Sequence, residues 1–206
     1  MRIRFLALGD SYTIGEGVAE SDRWPNRLAA LLAAEGIPVA PPVIIAVTGW
    51  TTDELDAGID AAGPLGTFGL VSLLIGVNDQ YRGRDAEAYR PGFRSLLARA
   101  VGFAGGDPAR VLVLSIPDWG VTPFAADRDR AAIADAIDRF NGVNAEGTRR
   151  AGARYVDITP LSRRSDPAGH MLAGDGLHPS GAQYADWALA ALPQAVAACG
   201  IFPGTP

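Results

Sequence analysis

Five short apolar runs, each closed by a turn signal and separated by helical patterns, set narrow limits on how this chain can fold. The runs cover residues 3–8, 43–47, 70–75, 111–116 and 155–158. The third is unbroken by any charge, as expected of a strand covered on both faces. Between the runs lie helical patterns. Leu28, Leu31 and Leu32 share a face within residues 24–34, with Gly36 as a stop. Thr51 and Glu54 have capping-box spacing at the start of a helix. A further helix is predicted near residues 93–103, and another over about 127–151 with Ile133, Ile137 and Phe140 on one face. A last helix, capped by Ser180, runs to about Ala198.

Strands alternating with helices predict a parallel sheet between two helical layers, an α/β three-layer sandwich. The flavodoxin-like order 2-1-3-4-5 is one common solution, and it sets strand 1 between strands 2 and 3. A chain of 206 residues suits one domain over residues 1–206. No repeat, linker or low-complexity segment interrupts it, and residues 202–206 read as an extended or frayed tail.

Composition removes several kinds of chemistry. The net charge of −5 gives no electrostatic reason to expect nucleic acid as a partner. All 18 basic residues are arginine. With no lysine there is no Schiff-base or pyridoxal-phosphate chemistry and no P-loop. The single cysteine, Cys199, lies among alanines in the last helix and reads as packing. It allows neither an intrachain disulfide nor a cysteine-based zinc site. Gly15 and Gly17 lack the third glycine of a dinucleotide fingerprint, since Glu20 stands there, and residues 12–20 read as a glycine-bearing loop. No metal-binding pattern stands out, so neither metal nor cofactor is expected. The N-terminus carries only a strand-length apolar run and no stretch has membrane-span length, so the chain reads as cytoplasmic.

The polar residues that remain gather at strand ends. Ligands of open α/β sheets bind beyond the carboxyl ends of the strands. There the first run delivers Gly9-Asp10-Ser11-Tyr12, the second Thr48-Gly49-Trp50 and the third Gly76-Val77-Asn78-Asp79. In the order 2-1-3 these turns share one rim, which suits acyl transfer. Ser11 is a candidate nucleophile, and the Ser11 N–H, Gly49 N–H and Asn78 amide are candidate donors to an oxyanion. A glycine at 49 lets the backbone approach substrate without a Cβ in the way. Of the two histidines, His178 has Asp175 three residues before it, so one turn can present a base and its orienting carboxylate. His170 has no such partner and reads as a surface histidine. A Gly-x-Ser-x-Gly nucleophile elbow is absent.

Together these four blocks resemble those of the SGNH, or GDSL-type, hydrolases, a superfamily of esterases and lipases. Gly9-Asp10-Ser11-Tyr12 is similar to the nucleophile block, Gly49 to the glycine block, Gly76-Val77-Asn78-Asp79 to the Gly-x-Asn-Asp block, and Asp175-x-x-His178-Pro179 to the last. The resemblance runs from residue 9 to 179, with the blocks in family order. It implies a Ser11-His178-Asp175 triad, an oxyanion hole of Ser11, Gly49 and Asn78, and the three-layer fold reached above. Tyr12 replaces the family's usual Leu, a departure that bears on substrate preference.

The implied partner is a small-molecule ester. Loops beyond the strand ends carry Tyr12, Trp50, Tyr81 and Trp119, the candidate substrate-binding residues, and no long apolar insertion suggests a deep acyl tunnel. Short acyl groups, about C2 to C6, are expected. A serine esterase on small esters, acetylated sugars included, is the first reading. An acyl thioesterase or lysophospholipase is the second, and a non-catalytic flavodoxin-like binding module is the third. The arginines at 82, 84 and 90 read as a solvated loop rather than a clamp for an anion.

Overall fold

The computed structural model describes residues 2–164 and 169–200. Five parallel strands form one sheet in the order β2-β1-β3-β4-β5. They are β1 (Phe5–Gly9), β2 (Val43–Ala46), β3 (Leu70–Leu74), β4 (Val111–Leu114) and β5 (Arg154–Val156). β1, β3 and β4 are buried at every position, whereas β2 and β5 are partly open, as edge strands must be. Register pairs Gly9 with Ala46 on one side and with Leu74 on the other, so the first three strands end level.

The helices, in chain order, are α1 (Ser11–Ile14), α2 (Trp24–Ala34), α3 (Thr52–Ala61), α4 (Val77–Tyr81), α5 (Ala86–Phe103), α6 (Arg130–Ala151), α7 (Thr159–Ser162) and α8 (Gly181–Ala198). Right-handed crossovers set α2 on one face of the sheet and α3, α5 and α6 on the other. Packing agrees: α2 lies against α8, while α5 touches both α3 and α6. Trp24, Leu28 and Leu32 meet Trp187 and Ala191 in one layer of core; Tyr89, Phe93 and Phe140 fill the other. Leu31 lies only at the margin of its layer.

Local structure departs from the sequence expectation in four places. The segment after Ser11, expected as loop, begins with α1, a single helical turn stopped by Gly15 at φ +70°. The first strand starts two residues late, Ile3 making only an isolated bridge to Val39, and the fifth starts one residue early and ends at Val156. Helix α5 begins seven residues before the expected region, capped by the Asp85 carboxylate on Ala88 N (2.8 Å). The tail at 202–206 lies outside the described residues.

The turn after β1 leaves no room at Gly9. A Cβ there would lie 2.5 Å from the Leu74 carbonyl oxygen and inside the Thr13 side chain. Backbone cannot move aside as a flexible side chain can. Gly9→Ala is therefore expected to destabilise the fold by roughly 1–3 kcal/mol, the range for overpacking. It should lower the urea midpoint at unchanged slope; a wild-type midpoint would show that the turn has slack.

Candidate active site

β1 stops at Gly9, and Asp10 then caps α1. Its Oδ1 accepts from Tyr12 N at 3.0 Å. Ser11 becomes the first residue of α1, where a backbone N–H has no intrahelical partner. Among the described residues the Ser11 N–H donates to nothing. Ser11 itself is buried beneath the cleft it lines.

The second strand leads into a turn over residues 47–50, closed by Trp50 N donating to Val47 O (3.2 Å). Gly49 has φ +87°, a region where side chains are strained, yet nothing lies within 4 Å of where its Cβ would be. Conformation rather than crowding by neighbouring side chains requires the glycine. The Gly49 N–H also donates to nothing among the described residues.

Gly76 (φ +123°) ends the third strand and opens α4, which presents Asn78. One proton of the Asn78 amide goes to Trp50 O (2.9 Å), leaving the second for the cleft. Asp79, fully buried, accepts from Thr52 N (3.0 Å) and Thr52 Oγ1 (2.8 Å), and from Arg84 (2.9 Å). Asn78 and the Gly49 turn are thereby tied to one another.

The fourth component comes from the far end of the chain. Asp175 Oδ2 meets His178 Nδ1 at 2.6 Å, while Oδ1 accepts from Leu177 N and His178 N, both at 2.9 Å. Burial opposes charge on Asp175, but these bonds outweigh it and hold the carboxylate below its ordinary range. The contact places the imidazole proton on Nδ1 and leaves Nε2 as an acceptor. Tyr12 supports the ring from beneath, edge-on with centroids 5.7 Å apart. Ser180 caps α8 through Gln183 N (3.3 Å) and holds the His170 carbonyl (2.6 Å). His170 is exposed. Among the described residues no group of three or more His, Cys, Asp or Glu could hold a metal ion.

Ser11, Gly49, Asn78 and His178 line one cleft of about 170 Å³. Ser11 Oγ makes no direct hydrogen bond to the imidazole, whose side-chain partner is Asp175. Tyr12, Tyr81 and Trp119 line the cleft as well. Trp50 does not: its indole covers Gly58 on α3, turned away from the cleft, so the substrate-contact expectation is corrected for this residue. Thr48, Val77, Phe124 and Leu177 complete the lining and went unrecognised in the sequence. Phe124 joins Tyr81 and Trp119 in a cluster of three rings, with Trp119 Nε1 fixed by Gln80 Oε1 (2.8 Å). The arginines at 82, 84 and 90 are bonded to carboxylates of this chain: Arg82 to Glu54, Arg84 to Asp53 and Asp79, Arg90 to Glu87 and Glu146.

A sheet of this order, carrying serine, glycine, asparagine and a histidine–aspartate pair along one rim, defines an SGNH-type carboxylic ester hydrolase. The chain belongs to the GDSL-like lipase/acylhydrolase family, whose model matches residues 7–185. No curated protein sequence matches it. Solved structures with a similar fold include TesA (22% identity, TM-score 0.71, covering 93% of this chain and 97% of that one). Another is Axe2, an acetylxylan esterase from Geobacillus stearothermophilus (18%, TM-score 0.70, 97% and 95%). A third is a lipase/acylhydrolase from Enterococcus faecalis (18%, TM-score 0.69, 100% of both).

Burial, helped by the nearby Asp79, pushes the Asp10 carboxyl from 3.8 up to about 8. Between those values the folded chain keeps a proton that the unfolded chain releases, so Asp10 lowers stability as pH rises from about 4 to about 8. Asp10→Asn removes that contribution and can still cap α1. Its unfolding free energy relative to wild type should therefore rise across this window, as read by urea titrations at several pH values. A difference that stays flat would mean the carboxyl is already ionised in the fold.

Proposed function

We propose that the chain is a serine esterase for small carboxylic esters with short acyl groups, acetyl esters of sugars among them. The observation that carries this reading is the convergence of Ser11, an Asp175-held imidazole and three uncommitted N–H donors on one cleft. His178 Nε2 takes the Ser11 proton as Oγ bonds to the ester carbonyl carbon. The oxygen that gains charge is met by the Ser11 N–H, the Gly49 N–H and the free amide proton of Asn78. The imidazolium, stabilised by Asp175, then protonates the departing alkoxide, leaving an acyl group on Ser11. Water enters, His178 takes its proton, and the acid leaves as Ser11 is restored. Every proton passes through Nε2.

Cleft size supports the short-acyl preference. Its volume of about 170 Å³ falls below the ~300–1,000 Å³ of pockets that enclose drug-sized ligands. Its walls are largely apolar and aromatic, suited to an acyl group or the face of a ring.

Hydrolysis of p-nitrophenyl acetate, butyrate and octanoate tests the reading. Ser11→Ala should lower kcat about a thousandfold or more, and Asn78→Ala about a hundredfold or more. Rates should fall from butyrate to octanoate. Undiminished turnover by Ser11→Ala would remove the nucleophile assignment, and rates rising steadily with chain length would remove the short-acyl preference. Matched acetyl esters of oxygen and sulfur separate esterase from thioesterase.

A further inference from the structure

A second cavity, of about 260 Å³, lies against the aromatic wall of the cleft. Tyr81 and Trp119 line both spaces, and the two rings meet edge-on with centroids 5.4 Å apart. The esterase reading uses the first space and leaves the second without a role. Beyond the shared rings, the second is lined by Gln80, Arg128 and Asp129 and by the first turn of α6.

Its polar side chains keep unused bonding capacity. The Arg128 guanidinium makes no hydrogen bond or ion pair among the described residues and lies over the Tyr81 ring, 5.8 Å from the centroid. By contrast Arg82, Arg84, Arg90 and Arg163 are all bonded to carboxylates. Asp129 spends Oδ1 on the α6 cap, accepting from Ala132 N at 3.0 Å, and its other oxygen accepts nothing among the described residues. Gln80 accepts from Trp119 Nε1 (2.8 Å), and its amide protons are free for a ligand.

That set narrows what can sit there. A longer acyl chain would press hydrocarbon on a cation and a carboxylate. An anion would suit Arg128 but would meet the Asp129 carboxylate in the same space. A neutral polyhydroxyl ring satisfies every group, because hydroxyls both donate and accept and the apolar ring face packs on an aromatic side chain.

The cavity is also placed for the alcohol half of an ester. In the esterase reading His178 protonates the departing alkoxide, so the alcohol starts beside the imidazole. Phe124 leads away from that point. Its N–H donates to Gly176 O (3.3 Å), two residues before His178, and its ring meets those of Tyr81 (6.3 Å) and Trp119 (6.0 Å). One run of aromatic surface therefore joins the base to the second cavity.

We propose that this cavity is a sugar subsite, in which Arg128, Asp129 and Gln80 hold a neutral pyranose of the alcohol half against Tyr81 and Trp119. The proposal rests on the esterase reading for the direction of the ester bond, whereas the subsite itself is a matter of binding.

The test uses the full chain and three acetates: methyl 6-O-acetylglucopyranoside, cyclohexylmethyl acetate, which has the same ring size without hydroxyls, and methyl acetate, too short to reach the subsite. Wild type should favour the sugar ester over cyclohexylmethyl acetate in kcat/KM. Arg128→Ala, and Asp129→Asn, which keeps the helix cap, should each lower kcat/KM on the sugar ester about fivefold more than on methyl acetate. That is the order of one lost hydrogen bond to a charged group at an open site. Methyl glucopyranoside, titrated into the wild type, should shift the Trp119 indole N–H resonance saturably, and Arg128→Ala should weaken that response about fivefold.

Equal losses on the sugar ester and methyl acetate would overturn the subsite, as would a sugar ester hydrolysed no faster than its hydroxyl-free counterpart. If the wild type turns over no ester, the esterase reading fails by itself. The glucoside titration still decides the subsite: a saturable shift that weakens in Arg128→Ala supports it, and no shift, or one unchanged in the variant, overturns it.

Discussion

Asp79 is a carboxylate with no access to water, and the site depends on how it is satisfied. An unpaired buried charge is among the costliest features a fold can hold. Here Thr52 supplies two donors from the start of α3, and Arg84 supplies a third from beyond α4. Separating α3 from α4 would strand that charge, so the two helix starts move as one. Asn78 stands beside Asp79, and the Gly49 turn runs directly into Thr52. Two candidate oxyanion donors on different strands are thereby held in one frame.

The donors are free for a simple reason. The Ser11 N–H stands at the first position of α1 and the Gly49 N–H at the centre of a turn, where backbone donors lack regular partners, while the Asn78 side chain keeps one of its two amide protons. Helix starts leave N–H groups without partners and carry partial positive charge. Three level strand ends of a parallel sheet bring such groups to one rim. The candidate base, His178, stands in a separate turn that Asp175 closes by accepting from two backbone N–H groups while it bonds the imidazole.

Much of this was legible in the chain. Apolar runs between turn residues gave the strands, because buried parallel strands admit little else. The Thr51–Glu54 spacing gave a capping box that forms. What stayed hidden was what side chains choose at close range. Trp50 stands next to Gly49, yet its ring settles on Gly58, a preference that no spacing in the sequence encodes. Phe124 reaches the cleft through two short helical turns, 119–121 and 123–125, that leave no periodic signal. α1 is one turn long, too short for a pattern. The start of α5 was masked by charge, although Tyr89 already lay one turn ahead of Phe93 on the buried face. Arg82 is exposed, as a solvated loop predicts, but its bond to the Gly49 carbonyl 33 residues away leaves no signal in the sequence.

The cleft is assembled from two parts with different attachments. Ser11, Gly49 and Asn78 stand beyond the ends of paired strands, with Asn78 bonded to Trp50 O, and His178 stands in a separate turn closed by Asp175. Much of the aromatic wall belongs to the excursion after β4, where Trp119 and Phe124 meet Tyr81 and Trp119 bonds Gln80. Machinery and wall can therefore vary on separate schedules. Exchanges within 119–125 can reshape what the site admits while leaving the frame around Asp79 intact, a division that lets one reaction be offered to many molecules.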